Sequence, residues 1–354
     1  MKIVMLIPEI VNKGPEIVVK DIVSNYSQKD IEFIIVSLRK NSFNNIKLFE
    51  GYKIHEVDIG KIPLKFYKLK KIINGIAPDI IHCHGFWPTV LSGLILKNYK
   101  ILTTLHNNPN EDFYYKYGRI MGFFMTKTML FFQKKANLNI AISNYIENIH
   151  KKMGLENVIT IYNGIPEVSY LNNNSNKKED ILKLITISSL IKRKNVDFLI
   201  RTINELNKYN SNIEFTIIGD GNEKENLINL VKLFKLETKI KFLGNLPREK
   251  VYENLNKSDV FLFSSLSEGF GLVIAEALNL KVPVITSNIP VMKEILVNKK
   301  NGIICNLKIE EYVKAILEIK NNKEEYIKNT QIYFNENFLA SNMSKSYIKV
   351  YKEI

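Results

Sequence analysis

The sequence has few of the residues that build disulfide scaffolds or cysteine metal sites. Its 354 residues include two cysteines, Cys83 and Cys305, which lie far apart without a paired spacing. This excludes a disulfide-rich fold and a cysteine-rich zinc site, and it suits a reducing cytoplasm. No apolar run approaches the roughly 20 residues that span a bilayer. The apolar stretch Ile3–Ile7 is too short for a signal-peptide core, and we expect it to be a buried strand.

The sequence also lacks the patterns that hold a divalent cation. No Asp-x-Asp pair occurs, and among the five histidines the alternating pair His82 and His84 has no third ligand placed beside it. We therefore expect no metal and no other cofactor. The net charge of +14 raises nucleic acid, anionic membrane and anionic small molecules as partners. Because the basic residues form no tail and no arginine-rich run, we do not expect nucleic acid.

Short β-branched apolar runs alternate with amphipathic, helix-length stretches along most of the chain. Near-continuous apolar strands separated by helices predict parallel sheets that are covered on both faces, in an α/β fold. Ligands of such doubly wound sheets bind beyond the carboxyl ends of the strands. The predicted strands are Lys2–Ile7, Ile31–Ser37, Asp79–Cys83, Lys100–Leu105, Leu138–Ile142, Leu182–Ser188, Ile213–Ile218, Lys239–Leu243, Val260–Ser264 and Pro283–Thr286.

The segment after the strand Val260–Ser264 is the richest in chemistry. Residues 267–276 have the sequence Ser-Glu-Gly-Phe-Gly-Leu-Val-Ile-Ala-Glu, a glycine-flanked turn that opens a helix. Glycines allow close backbone approach to a ligand, and the free N–H groups of a helix start favour anionic oxygens or hydroxyls. We expect Glu268 to bind hydroxyls or stabilise positive charge, and Glu276 to bind a diol such as ribose. The alternative is a helix-capping Glu268 and a solvated Glu276.

A second cluster, Lys192-Arg193-Lys194, follows the strand Leu182–Ser188. Cations at a strand end suit a diphosphate, because Arg engages two oxygens and Lys supplies a point charge. The alternative is a solvated basic turn. Gly219 and Gly221 begin a possible dinucleotide fingerprint, but Lys224 replaces its third glycine, which argues against a nicotinamide site.

Glu268 and Glu276, seven residues between them, resemble the E-x7-E signature of the retaining family-4 (group 1) glycosyltransferases. These are two-domain enzymes of the GT-B fold that use nucleotide-sugar donors. Further segments resemble family landmarks in the same order, and together they span nearly the whole chain. They are Pro78–His84, Thr103–His106, Ala141–Ser143 and Ile161–Ile165.

The resemblance implies roles for individual residues. His106 and Glu268 would contact the donor sugar and form the catalytic pair, Lys194 with Arg193 would neutralise the pyrophosphate, and Glu276 would hold the ribose. The remaining donor-binding residues would be Gly14, Gly219, Gly221, Phe270, Gly271 and Leu272. This chain departs from the family in three places: Asn195 replaces a glycine, Ser188-Ser189-Leu190 replaces Gly-Arg-Leu, and Gly14 lacks a second adjacent glycine.

The resemblance also implies a GT-B fold, in which two Rossmann-like, doubly wound parallel-sheet domains face a central cleft. An acceptor-binding domain at residues 1–168 would be followed by a polar linker at 169–180. A nucleotide-sugar-binding domain at 181–330 would precede a C-terminal helix at 331–354 that packs back on the first domain.

Two stretches of the first half, 61–71 and 113–135, mix cations with aromatic residues. Such a surface suits an anionic membrane, and the alternative is a pair of core-packing helices whose lysines face water. The membrane or acceptor surface predicted from the first stretch consists of Lys65, Phe66, Lys68, Lys70 and Lys71.

Taken together, the sequence predicts a retaining, metal-independent glycosyltransferase that uses a nucleotide-sugar, UDP rather than GDP. The acceptor would be a glycan or a lipid-linked sugar of bacterial capsule or lipopolysaccharide synthesis, in the cytoplasm or at the inner membrane face. The alternatives are a nucleotide-sugar epimerase of the same fold, a non-catalytic nucleotide-sugar-binding protein and a nucleic-acid-binding protein.

Overall fold

The structure, a computed structural model, describes residues 1–11, 14–28, 30–41, 46–58, 62–167, 181–334 and 336–354. The chain divides into two units, Met1–Glu167 with Glu336–Ile354, and Val168–Asn335. The predicted linker at 169–180 lies outside the described residues.

The first unit is built on a parallel sheet of seven described strands in the order β3-β2-β1-β4-β5-β6-β7. Its core strands are buried along almost their whole length, as their continuous β-branched composition predicts. The strands are β1 (Lys2–Ile7), β2 (Glu32–Ser37), β3 (Lys53–Glu56), β4 (Ile80–His84), β5 (Lys100–Leu105), β6 (Leu138–Ala141) and β7 (Val158–Thr160).

Helices connect these strands, and the C-terminal helix packs on the first one. Ser344 on the C-terminal helix donates from Oγ to the carbonyl of Ile22 on the first helix at 2.7 Å. The helices are α1 (Gly14–Ser24), α2 (Ile62–Ile76), α3 (Phe86–Ile95), α4 (Pro109–Tyr117), α5 (Arg119–Gln133), α6 (Asn144–Lys152) and α14 (Ala340–Glu353), with 3-10 turns at Lys47–Phe49 and Glu336–Phe338.

The second unit has a parallel sheet of six described strands in the order β10-β9-β8-β11-β12-β13. The strands are β8 (Leu182–Ile187), β9 (Ile213–Ile218), β10 (Ile240–Gly244), β11 (Val260–Phe263), β12 (Val284–Ser287) and β13 (Gly302–Cys305). The helices are α7 (Val196–Leu206), α8 (Lys224–Leu233), α9 (Arg248–Asn256), α10 (Leu272–Asn279), α11 (Met292–Ile295), α12 (Ile309–Asn321) and α13 (Lys323–Tyr333), after a 3-10 turn at Lys192–Lys194.

Both sheets are doubly wound, because the strand order reverses direction beside the first strand of each. The reversal lies between β1 and β4 in the first unit and between β8 and β11 in the second. Doubly wound sheets bind ligands at this switch point, outside the carboxyl ends of the strands.

Each predicted strand is present, with bounds that differ by at most one residue, and the structure adds β3, β7 and β13. β3 is only partly buried, β7 is a three-residue strand at the sheet edge, and β13 starts on a glycine. β3 and β7 thus lack a buried apolar run, and β13, although largely buried, is only four residues long, which leaves too short a pattern to predict a strand. Position 330, a predicted boundary, lies inside α13. Among the described residues, no helix is both long and apolar enough to cross a membrane.

Candidate functional site

The switch point of the second unit brings together the two clusters that the sequence singled out. Arg193 and Lys194 follow β8, and Glu268 follows β11, the strand paired with β8. Lys194 Nζ forms an ion pair and a hydrogen bond with Glu268 Oε1, while Arg193 Nη1 lies 3.5 Å from Glu268 Oε2. All three side chains are at most 16% exposed. The basic turn is therefore not simply solvated.

Serine side chains tie the two loops of this site to each other. Ser264 donates from Oγ to the carbonyl of Asn195 at 2.9 Å, and the backbone N–H of Leu266 donates to the carbonyl of Arg193 at 2.9 Å. Ser287 on β12 in turn donates to the carbonyl of Ser265 at 2.6 Å. The cations and the carboxylate are thus fixed on one backbone framework.

Two backbone positions of this framework have positive φ. Asn195, at the start of α7, has φ 55° and ψ 40°, a left-handed conformation that glycine and asparagine adopt most readily. The replacement of the family's glycine by Asn195 therefore preserves the turn. Gly271 has φ 96° at the start of α10, and the neighbouring Phe270 side chain is buried.

The second carboxylate, Glu276 on α10, is buried and forms an ion pair with Arg248 at the start of α9. Arg248 Nη2 donates to Glu276 Oε1 at 2.9 Å, and the Tyr252 hydroxyl donates to the same oxygen at 3.1 Å. Burial, together with the charge of Glu276, raises the pKa of Tyr252, so its hydroxyl keeps its proton. Glu276 is thus a positioned carboxylate rather than a solvated helix residue.

Gly219 and Gly221 pack against the backbone that follows β8. A Cβ at Gly219 would lie 1.9 Å from the carbonyl oxygen of Ser188, and one at Gly221 would lie 2.3 Å from that of Leu190. The two glycines therefore permit close backbone packing, which accounts for them without a ligand. Gly14, at the start of α1, has open space around a built Cβ in the described structure.

Two buried histidines, His82 and His84 on β4, and the half-buried His106 after β5 lie next to the switch point of the first unit. His82 contacts the Tyr351 hydroxyl at 2.6 Å through Nδ1 and Thr104 Oγ1 at 2.7 Å through Nε2. His84 Nδ1 lies 3.0 Å from His106 Nε2. Burial lowers the pKa of His106 to about 4. Burial and the neighbouring His106 lower that of His82 to about 3, so both rings are neutral near pH 7.

Comparisons with known proteins show the family to which the chain belongs. Residues 12–167 match the family model described as Glycosyltransferase Family 4, and residues 167–333 match the one described as Glycosyl transferases group 1. The O-antigen biosynthesis glycosyltransferase WclY of Escherichia coli is 31% identical over 100% of this chain and 99% of its own length. The chain belongs to the family-4, group 1 glycosyltransferases. It is a hexosyltransferase of the GT-B fold.

Solved structures share the fold of this glycosyltransferase at low sequence identity. Anabaena Alr3699/HepE in complex with UDP and glucose has a TM-score of 0.86 at 17% identity and covers 100% of both chains. The lipopolysaccharide outer core galactosyltransferase WaaB has a TM-score of 0.73 at 17% identity, again over 100% of both chains. An uncharacterised glycosyltransferase of Methanocaldococcus jannaschii is 28% identical over 84% of this chain and 82% of its own length.

Electrostatics keep the first carboxylate of the glycosyltransferase ionised. Burial alone would raise the pKa of Glu268, but the charges of Lys194 and Arg193 outweigh it and lower that pKa. The cluster of Arg193, Lys194 and Glu268 therefore carries two positive charges and one negative charge at a largely desolvated site. An arriving pyrophosphate would meet two cations that are already oriented.

Three residues of the glycosyltransferase were missed by the sequence argument: Arg248, Tyr252 and, as a partner of His106, His84. Arg248 lies 28 positions before Glu276 on another helix, so no local spacing connects the two. His84 was noticed only as a metal-ligand candidate. Among the described residues, no group of three or more His, Cys, Asp or Glu side chains could hold a metal ion.

The predicted membrane or acceptor surface lies on α2. Lys68, Lys70 and Lys71 are exposed and Phe66 is half-buried, while the side chain of Lys65 lies outside the described residues. Lys68, Lys70 and Lys71 therefore face water, as either interpretation of this stretch requires.

Proposed function

We propose that this glycosyltransferase moves a hexose from a UDP-sugar to a glycan or lipid-linked acceptor, with retention of the anomeric configuration and without a metal ion. The proposed setting is bacterial cell-surface polysaccharide synthesis. A relative named for O-antigen biosynthesis aligns with the whole chain, and structural neighbours contain UDP or UDP-glucose. Both support a UDP-sugar donor in such a pathway.

The observation that carries the proposal is the buried cluster of Arg193, Lys194 and Glu268 at the switch point. In the proposed reaction, the bond between the sugar's C1 and the pyrophosphate oxygen breaks as negative charge grows on the leaving UDP. Arg193 and Lys194 stabilise that charge, and prearranged charges of this kind supply much of an enzyme's rate enhancement. Their presence replaces the need for a divalent cation.

The remaining residues position the donor and the acceptor in this proposal. Glu276 holds the ribose hydroxyls, while Glu268 and His106 bind the sugar. The acceptor hydroxyl forms the new bond to C1 from the face that UDP leaves, and its proton passes to a pyrophosphate oxygen. We assign donor binding to the unit of Val168–Asn335 and acceptor binding to the other. The Gly14, Phe270, Gly271 and Leu272 backbones are further proposed donor contacts.

We place the enzyme in the cytoplasm, at the inner membrane face, where a lipid-linked acceptor would be available. The exposed lysines Lys68, Lys70 and Lys71 support this placement, because each basic residue near an anionic lipid surface contributes about 1 kcal/mol of attraction. Binding through these residues would weaken as salt rises.

The test is slow donor hydrolysis by the purified protein, with UDP- and GDP-sugars compared in excess EDTA. We expect UDP release from one UDP-sugar and, by NMR, a first-formed sugar with the donor's anomeric configuration. Lys194→Ala should abolish turnover, whereas the matched control Lys192→Ala, which removes an exposed lysine two positions away, should not. An inverted product, or activity that disappears with EDTA and returns with Mg²⁺, would contradict the proposal.

A further inference from the structure

Half of the large apolar side chains that are exposed in the described chain lie on three consecutive helices of the first unit, α3, α4 and α5. On α5 these include Ile120 at 78% exposure and Phe124 at 61%. Soluble proteins rarely expose apolar patches of this kind unless the patch binds something. We call this surface the aromatic face; it consists of Trp87, Leu94, Tyr114, Tyr115, Tyr117, Ile120, Met121, Phe123, Phe124 and Phe131.

Helix α5 carries large apolar side chains on both of its sides. One side packs into the unit through Gly122, Thr126, Met129 and Leu130, and the other presents Ile120, Phe123, Phe124 and Phe131 outward. A surface helix is expected to be polar on its outer side, and a helix that is apolar all round is normally buried or in contact with a membrane. The outer side of α5 is therefore expected to contact another molecule or a membrane.

The aromatic face is a firmly packed surface rather than a loosely attached segment. A Cβ at Gly122 on α5 would lie 3.0 Å from the backbone of Phe113 on α4, and one at Gly93 on α3 would lie 2.4 Å from the Phe132 ring of α5. Thr126 Oγ1 also donates to the carbonyl of Pro109 at 3.1 Å. The close packing thus fixes the backbone positions from which the exposed rings project.

The charges along the last turn of α4 and the whole of α5 have one sign, whereas the first turn of α4 holds Glu111 and Asp112. Residues 113–146 contain no Asp or Glu, while Lys116, Arg119, Lys127, Lys134 and Lys135 all lie within them and are exposed. Lys127 lies 5.5 Å from the centre of the Phe123 ring, and Lys135 lies 4.0 Å from that of Phe131. Cations and aromatic rings are therefore interleaved on the outer side of α5.

We propose that the aromatic face inserts into the headgroup region of an anionic lipid bilayer. Aromatic rings partition to the membrane interface, and lysine and arginine side chains reach from there to lipid phosphates. A second copy of the chain fits less well, because pairing two α5 outer sides would oppose cations in a stretch, 113–146, that has no carboxylate to balance them. The inference rests on the proposed function only for its biological purpose, delivery of the enzyme to a lipid-linked acceptor.

Insertion differs from the electrostatic contact proposed for the lysines of α2. Apolar burial is not screened by salt, whereas surface attraction is, since the Debye length falls from about 10 Å at ~0.1 M salt to about 3 Å at ~1 M. Binding should therefore weaken at ~1 M salt but persist in part. Binding to vesicles should also depend on the exposed aromatic rings of α5, and not only on the lysines of α2.

Trp87, the only tryptophan of the chain, is 54% exposed in the aromatic face and reports insertion directly. The full-length protein would be mixed with phosphatidylcholine vesicles, with and without phosphatidylglycerol, at low and high salt. We expect a blue shift of the Trp87 emission with the anionic vesicles, and quenching when the lipid carries bromine on its acyl chains. The same vesicles and buffers without protein serve as the blank.

The decisive variant is Ile120→Ser/Phe123→Ser/Phe124→Ser, which changes only exposed side chains of α5. We expect its vesicle partitioning to fall by more than about tenfold. The matched control is Tyr209→Ser/Leu233→Ser, which removes equally exposed apolar side chains from the second unit and should bind vesicles as the unmodified protein does. A third variant, Lys68→Gln/Lys70→Gln/Lys71→Gln, should weaken only the salt-sensitive part of binding, and only in part, because the cations of residues 116–135 remain.

The inference is overturned if the α5 variant partitions like the unmodified protein, or if Trp87 shows no shift and no quenching with anionic vesicles. It is also overturned if sedimentation velocity shows a dimer that the α5 variant abolishes, because the face would then bind a second copy. UDP-sugar hydrolysis is measured in parallel without lipid. Hydrolysis without vesicle binding would reject this inference alone, whereas vesicle binding without any hydrolysis would reject the proposed function alone.

Discussion

His84 Nδ1 lies 3.0 Å from His106 Nε2, so one of two neutral rings donates a hydrogen bond to the other. The other nitrogen of His84, Nε2, is buried without a hydrogen-bond partner among the described residues. A buried acceptor without a partner is tolerated better than a buried N–H without one. We infer that His84 Nδ1–H donates and His106 Nε2 accepts, which places the His106 proton on Nδ1.

This hydrogen bond predicts that His84 is a positioning residue for His106. In His84→Asn the amide nitrogen can replace Nδ1 as the donor, so turnover should stay near that of the unmodified enzyme. In His84→Leu the donor is lost, and we expect kcat to fall about tenfold, which corresponds to one hydrogen bond of about 1.4 kcal/mol.

The readout that separates positioning from mere packing is the nitrogen NMR spectrum of His106. Its tautomer should be fixed in the unmodified enzyme and in His84→Asn, and mixed in His84→Leu. A folded His84→Leu enzyme with unchanged kcat and an unchanged His106 tautomer would contradict this role.

The lowered histidine pKa values predict a pH dependence of stability. Burial lowers the pKa of His106 from 6.5 to about 4, and burial with the nearby His106 lowers that of His82 to about 3. Below pH 6.5 the unfolded chain therefore binds protons that the folded chain does not, so the free energy of unfolding decreases as the pH falls. The stability that comes from keeping these histidines neutral is fully present above pH 6.5, the pKa of histidine in the unfolded chain.

Urea unfolding measured from about pH 7 to about pH 5 checks the dependence. The folded pKa values predict that kcat shows no loss attributable to His106 in the same range. The matched comparison is His84→Asn, which removes one buried imidazole and should flatten the slope. A free energy of unfolding that rises on acidification would show that the histidines are protonated in the folded state.

The sequence predicted the strands that set the fold because those strands are continuous apolar runs. The family resemblance implied that Arg193, Lys194 and Glu268 serve one donor, and the structure brings their side chains together because they follow the adjacent strands β8 and β11. The sequence could not predict the Arg248–Glu276 pair, because that contact depends on how α9 and α10 pack. Nor could it distinguish the outer side of α5 from the inner one, as both are apolar.

The ion pairs of Glu268 predict coupled effects of substitutions on stability. Lys194→Ala should lower the free energy of unfolding by about 1–3 kcal/mol, because it leaves a buried carboxylate with only Arg193 nearby. The double variant Lys194→Ala/Glu268→Gln should cost less than the sum of the single changes.

The measurement for this cycle is urea unfolding near pH 7, with Lys192→Ala as the exposed control, expected within about 0.5 kcal/mol of the unmodified protein. Because the pKa of Glu268 is lowered in the folded state, its share of stability should be lost as the pH falls through that pKa. Strict additivity of the two single variants would mean that Lys194 and Glu268 do not interact in solution.

The Arg248–Glu276 ion pair predicts how the enzyme binds UDP. If Glu276 holds the ribose, Glu276→Gln should weaken UDP about tenfold, the effect of one charge-assisted hydrogen bond. Arg248→Ala should weaken UDP by reorienting Glu276, and Arg248→Lys should not restore binding, because Lys cannot reproduce the guanidinium contact. Tyr252→Phe should have a smaller effect.

Calorimetric titration with UDP gives these affinities, and the circular dichroism spectrum of each variant verifies its fold. Lys250→Gln is a suitable control, since Lys250 lies on the same helix as Arg248 and pairs at the surface with Glu253. Unchanged UDP affinity in a folded Glu276→Gln protein would remove the ribose role from Glu276.

The glycines provide a final prediction that separates packing from donor binding. Gly219 has φ 132°, and a Cβ there would lie 1.9 Å from the Ser188 carbonyl oxygen. Gly219→Ala should therefore lower the free energy of unfolding by more than about 2 kcal/mol, since neither the backbone nor the neighbouring strand end can move away easily.

Gly14 has open space instead, so Gly14→Ala should leave the free energy of unfolding within about 0.5 kcal/mol of that of the unmodified protein. If the Gly14 backbone approaches the donor, UDP-sugar affinity in Gly14→Ala will fall at unchanged stability. Thermal unfolding and UDP-sugar titration of both variants decide between the roles, and a fully stable Gly219→Ala protein would show that this turn is looser in solution than its packing implies.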